Sequence, residues 1–168
     1  MIRGYLLDTN MIEFWFNRNR PEHAAVSQRI AGLPDSSPLV TSSVVVGEIR
    51  YGCSVSWKDP QLSQEVLEDF IRSQMPYVLP VNHTTAAVYG ELRARLFEKL
   101  APRERRTRAM RPEELTDPVT SKVLGIQEND LWIAAQTVER NLVFVTHDKL
   151  ARIREAVPEM RVEDWSAP

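Results

Sequence analysis

Short apolar runs alternate along this chain with longer stretches of helical apolar spacing, and that alternation limits the folds open to it. Gly4 to Leu7, Leu39 to Thr41, Tyr77 to Val81, Leu142 to Thr146 and Arg161 to Glu163 read as strands. Helices are expected from Asn10 to Asn17, from Pro21 to about Leu33, and from Ser42 or Ser43 through Cys53. Further helices are expected from Pro60 through Ile71, from Thr84 or Thr85 to about Leu100, from Asp130 to Arg140, and from Asp148 to Val157. Strands joined through helices run parallel, with the helices covering both faces of the sheet. The expected fold is therefore α/β, a three-layer α/β/α domain around a central, mostly parallel sheet.

The chain has 168 residues and 43% hydrophobic content, which suits one domain with a sizeable core. We expect a single domain over residues 1–168, with a charged insertion at about 102–125 that carries Pro102, Pro112 and Pro118 and has weak apolar periodicity. A net charge of −2 gives no global basic footprint, so any nucleic-acid contact must come from a local patch. The one cysteine, Cys53, cannot form an internal disulfide and reads as a small core residue. The apolar stretch in MIRGYLLDTN is too short for a signal peptide, and no segment approaches the roughly 20 apolar residues of a membrane span. These features predict a soluble, cytoplasmic protein without a membrane contact.

Four acidic residues stand where such a fold delivers side chains to one edge. Asp8 and Asp148 directly follow strands, Glu48 lies in the helix after the second strand, and Asp130 opens a helix. In open parallel sheets, sites lie beyond the carboxyl ends of the strands. Each acid alone has an ordinary explanation: Asp8 and Asp148 as helix caps, Asp130 as a charge favoured by the helix dipole. Glu48 is harder to dismiss, because Val44, Val45, Ile49 and Gly52 surround it with apolar helix surface. Converging carboxylates repel and raise one another's pKa unless a cation joins them, and hard divalent cations take oxygen ligands.

The segments LLDTN, GEIRYG, NDLWIAAQ and LVFVTHD, in this order, resemble those of the PIN-domain ribonucleases, most closely the VapC-type toxins of toxin–antitoxin systems. YGELRARL is similar to the family's helix before the third acid, and RVEDW to its closing segment. The resemblance implies a metal-dependent endoribonuclease acting on single-stranded RNA. It implies that Asp8, Glu48 and Asp130 hold Mg²⁺ or Mn²⁺, with Asp148 as a fourth acid and Asn10 and Thr146 as supporting polar residues. It also implies an antitoxin protein partner and a homodimer. The chain departs from many small toxins of this type in the long connection from about Pro102 to Gly125, which bears on substrate and partner and leaves the four acids untouched.

That connection holds a dense positive stretch of Arg103, Arg105, Arg106, Arg108 and Arg111, preceded by Arg93, Arg95 and Lys99. It reads either as a solvated face or as an arm for RNA phosphate beside an acidic site. Of the histidines, His147 alone adjoins the acids, while His23 and His83 suit surface or capping roles. Trp15 and Trp132 suit core packing, and Trp57 suits an exposed position. Two other functions compete. An aspartate nucleophile at Asp8 lacks the second acid of a D-x-D motif. A catalytically inactive PIN-like module that only binds RNA or protein would not need all four acids.

Overall fold

The structure is a computed structural model that describes residues 4–55, 60–101, 103–105, 110–117 and 119–167. Five parallel strands run β1 (Tyr5–Leu7), β2 (Leu39–Ser42), β3 (Val78–Leu79), β4 (Val143–Val145) and β5 (Arg161–Glu163). They stand in the order β3-β2-β1-β4-β5. Helices α1 (Thr9–Phe16), α2 (His23–Ala31), α3 (Ser43–Ser54), α4 (Pro60–Gln74), α5 (His83–Leu100), α6 (Glu128–Arg140) and α7 (Ala151–Ala156) complete a three-layer α/β/α arrangement. Among the described residues, no helix is long and apolar enough to cross a membrane.

The two central strands explain the register. In β1, Leu6 and Leu7 are fully buried, and they pair with Phe144 and Val145 of β4, also fully buried. Such continuous apolar strands belong to a sheet covered on both faces. The ladder runs on past the strand ends, where Asp8 N–H donates to Val145 O at 3.0 Å. Asp8 therefore leaves β1 directly beside the exit of β4. At the other end of β1 the chain needs a glycine. Gly4 has φ of 142°, and a Cβ there would lie 2.6 Å from Pro38 O, the acceptor of the Tyr5 amide.

Several boundaries differ from the pattern-based reading. Helix α1 starts at Thr9, behind Asp8 as its cap, and α5 starts at His83, behind Asn82, which accepts from Thr85 N–H at 3.0 Å. Short polar side chains compete for these positions, and the residue whose backbone turns extended wins. The second helix starts at His23, after Pro21, and α7 starts only at Ala151, because Leu150 sits in the left-handed region at φ 46°. The connection after α5 contains 3₁₀ turns at Arg103–Arg105 and Pro112–Glu114, then an antiparallel bridge between Thr116 and Val123. Its Leu115 and Ile126 are buried in the core.

Candidate metal centre

Each acid is delivered by a different element. Asp8 follows β1 and is only 5% exposed. Its Oδ1 accepts from Thr9 N–H at 2.8 Å, and its Oδ2 accepts from the Thr146 hydroxyl at 2.6 Å. Thr146, fully enclosed just past β4, also accepts from Asp148 N–H at 3.1 Å. Asn10 ties the group together. Its amide nitrogen lies 3.4 Å from Asp8 Oδ2, 3.2 Å from Thr146 Oγ1 and 3.2 Å from Asp148 Oδ2, while its oxygen accepts from His147 N–H.

Glu48, half-buried on α3, accepts from the Thr9 hydroxyl at 2.6 Å and from Asn129 Nδ2 at 2.8 Å. Asp130, half-buried in the first turn of α6, accepts from the Gln127 backbone N–H. Thr9 and Asn129 are not among the site residues expected from the sequence. The only signal for them is their adjacency to Asp8 and Asp130 in the DT and ND pairs.

The donors around these acids are neutral hydroxyls, amides and backbone groups. Among the described residues, no ion pair involves Asp8, Glu48, Asp130 or Asp148. The cost falls on the ionisation of Asp8 and Asp130. Burial, then repulsion from Glu48 and Asp148, pushes Asp8 up to about 6 against the hydrogen bonds from Thr146 and Thr9. Burial, then repulsion from Asp8, Asp148 and Glu48, pushes Asp130 up to about 7. Asp8 and Asp130 thus both feel the charge of the other acids. Among the described residues, however, no three His, Cys, Asp or Glu side chains are gathered into a ready ligand set. Their hydrogen bonds draw Glu48 toward Thr9 and Asn129, and Asp148 toward Asn10. The donor set is all oxygen, anionic and without a countercharge, which fits a hard divalent cation.

Two hollows border the cluster. One of about 340 Å³ is lined by Gln127, Asp130, Asp148, Lys149 and Arg152. The other, about 660 Å³ and largely apolar, runs from Thr9 and Glu48 past Ile12, Phe16, Val66 and Leu67. Cys53 is half-buried, packs against the edge of the core and also lines this groove.

The arginine stretch divides. Arg103 and Arg111 are exposed, the Arg105 side chain is outside the description, and Arg106 and Arg108 lie outside the described residues. The cations before it are engaged within the fold. Arg95 grips Glu159 at 2.6 and 2.9 Å, Lys99 donates to Glu155 O at 2.6 Å, and Arg93 donates to Tyr89 Oη at 2.8 Å and Met110 O at 2.6 Å. Trp15 packs edge-on against Phe70 and Trp132 stacks on Tyr89, both against the core. Trp57 lies outside the described residues. His23 Nδ1 sits 3.2 Å from Phe14 O, and His147 Nδ1 sits 3.0 Å from Asp164 Oδ2.

A parallel sheet with carboxylates crowded at the exit of its two central strands defines an α/β domain of the nuclease-like class. The PIN domain family model matches residues 5–155, and the chain belongs to that family. Ribonuclease VapC2 of Rickettsia felis is 26% identical over 163 residues, covering 96% of this chain and 97% of that protein. Ribonuclease VapC1 of Haemophilus influenzae is 23% identical over 162 residues, covering 96% and 98%. The structure is similar to that of VapBC2 from Rickettsia felis bound to a promoter DNA fragment, with a TM-score of 0.69 at 26% identity over 98% of this chain and 99% of that one. The DNA-bound VapBC of Salmonella typhimurium gives 0.68 at 27% identity, with the same coverage.

Proposed function

We propose that this protein is an endoribonuclease that hydrolyses phosphodiester bonds of single-stranded RNA at a Mg²⁺ or Mn²⁺ site, and that it is the toxin of a toxin–antitoxin pair. The carrying observation is the uncompensated acid cluster at the exit of β1 and β4, in a PIN-family chain whose relatives bear the name ribonuclease VapC. Asp8, Glu48, Asp130 and Asp148 would hold the ion through their oxygens. When bound, such an ion sets positive charge against the non-bridging phosphate oxygens and acidifies a water molecule.

The chain's own groups prepare that site. Thr146 and the Thr9 amide fix the two oxygens of Asp8, and Oδ1, with its one donor, keeps a lone pair for a ligand. The Thr9 hydroxyl and Asn129 hold Glu48, while Asn10 spans Asp8 and Asp148. Neutral donors orient these acids without cancelling their charge. An acidic edge repels RNA, so cations at its rim assist approach. Exposed Arg103 and Arg111, with Arg105, Arg106 and Arg108 between them, are the proposed phosphate contacts. The groove beside Glu48, with Phe16 37% and Val66 46% exposed, is the proposed seat of an apolar antitoxin segment.

The test is cleavage of a mixed single-stranded RNA pool by purified protein with Mg²⁺, Mn²⁺ or chelator. Metal-dependent internal cuts are expected, and they stop with chelator. RNA binding without cleavage under every metal condition would instead identify an inactive binding module.

A further inference from the structure

Helix α6 carries Asp130 in its first turn, yet its own N-cap residue, Gln127, makes no side-chain cap hydrogen bond. The cap comes from the preceding connection. Glu113 accepts from Glu128 N–H through Oε1 at 2.7 Å. The neighbouring amide, Gln127 N–H, donates to the Asp130 carboxylate. Two adjacent amides are therefore held, one by Glu113 and one by the third acid itself.

The segment that presents Glu113 is anchored on both sides. Pro112, Leu115 and Ile126 are buried. Leu124 N–H donates to Leu115 O at 2.8 Å, and Asp117 N–H to Lys122 O at 2.8 Å. Arg93 of α5 binds Met110 O and the Tyr89 hydroxyl, and that hydroxyl donates to Glu128. Tyr89 also stacks on Trp132 of α6, with ring centroids 3.7 Å apart. Residues 110–117 and 119–127 thus form a clasp across the start of α6.

The first amides of a helix lack partners within it. A carboxylate there supplies an acceptor and meets the positive end of the helix dipole. Without Glu113, the Glu128 amide turns to water and the turn that carries Asp130 loosens. We infer that Glu113 is a positioning residue for Asp130, holding the first turn of α6 so that the Asp130 carboxylate stays bound to Gln127 N–H. This inference rests on the acid-site reading above.

The experiment compares wild type, Glu113→Ala, Glu113→Gln, and Glu113→Ala combined with Gln127→Ser. It measures kcat and KM for RNA at saturating Mn²⁺, with amide exchange at Glu128. Glu113→Ala should lower kcat about tenfold, the scale of a small misplacement of a reacting group, with KM within about twofold. Protection of the Glu128 amide should fall with it. Glu113→Gln keeps an acceptor oxygen and should retain most of the activity. Gln127→Ser supplies a local cap and should restore kcat in the Ala background. Ile71→Val, a buried change on α4, controls for general destabilisation and should keep wild-type kcat.

Wild-type kcat in Glu113→Ala overturns the inference, as does a loss that neither Gln nor the new cap rescues, or an effect confined to KM. If the Ala variant does not fold, Glu113→Asp replaces it. Lost amide protection at full kcat then overturns the inference, and a parallel fall supports it. A wild type that cleaves no RNA removes the proposed function instead and leaves the cap readable by amide exchange.

Discussion

Raising the pH should destabilise the metal-free protein, a slope opposite to that of salt-bridged carboxylates. Asp8 and Asp130 rise from 3.8 to about 6 and about 7. A carboxyl raised in the folded state binds more protons there than when unfolded, so stability falls as pH increases. The stabilisation is fully present below about pH 4 and is lost as pH climbs through 6 to 7. At about 1.4 kcal/mol per pH unit, Asp8 alone accounts for a loss on the order of 3 kcal/mol and Asp130 for one on the order of 4. The two share their mutual repulsion, so the combined loss should be smaller than the sum. Asp117, Glu159 and Asp164 are lowered and slope the other way, but only below their ordinary values of 3.8 to 4.5. Thermal melts in chelator between pH 4.5 and 8 read the effect. The midpoint should fall steadily for wild type, flatten in an Asp8→Asn, Asp130→Asn double variant, and recover with Mn²⁺ at pH 8. A flat wild-type profile in chelator, or a double variant with the wild-type slope, would refute the electrostatic reasoning.

Two further outcomes follow from individual contacts. Thr146→Val removes the donor to Asp8 and the acceptor of Asp148 N–H, so Asp8 should titrate higher and kcat should drop about 10- to 100-fold. Unchanged cleavage kinetics contradict that role. Gly4→Ala places a Cβ against Pro38 O in a backbone region open to glycine, and should cost at least about 1–3 kcal/mol in denaturant unfolding. A wild-type unfolding midpoint would show that the turn can shift to admit it.

The middle of the sheet was legible because β1 and β4 are apolar throughout and the helices carry the longer period. Leu6 and Leu7 next to Val143, Phe144 and Val145 need no tertiary information to read as buried strands. Asp8 and Asp148 were legible for the same reason, since position after a strand places a side chain at the sheet edge. The groups that orient the acids were harder to see. Thr9 reaches Glu48 across 39 positions and Asn129 reaches it across 81, and short polar residues in a helix start read equally well as caps. The connection after α5 was the least legible. Its charge density read either as a solvated face or as an arm for RNA phosphate, and neither reading announces that Leu115 and Ile126 anchor it or that Glu113 caps α6. Irregular backbone has no periodicity to announce such contacts. Likewise, Arg93 and Arg95 looked like part of a basic patch until their partners, Met110 O and Glu159, came into place through the fold.

The central claim is that Asp8, Glu48, Asp130 and Asp148 act together as one metal site. Calorimetric titration of Mn²⁺ into the chelator-treated protein at pH 6.5 measures it directly. The account predicts saturable binding that releases protons, because Asp8 and Asp130 are partly protonated at that pH and must ionise to accept the ion. It predicts that Asp8→Asn and Asp130→Asn each weaken that binding strongly while the folded spectrum is kept. Mn²⁺ binding of wild-type strength in both variants would contradict it.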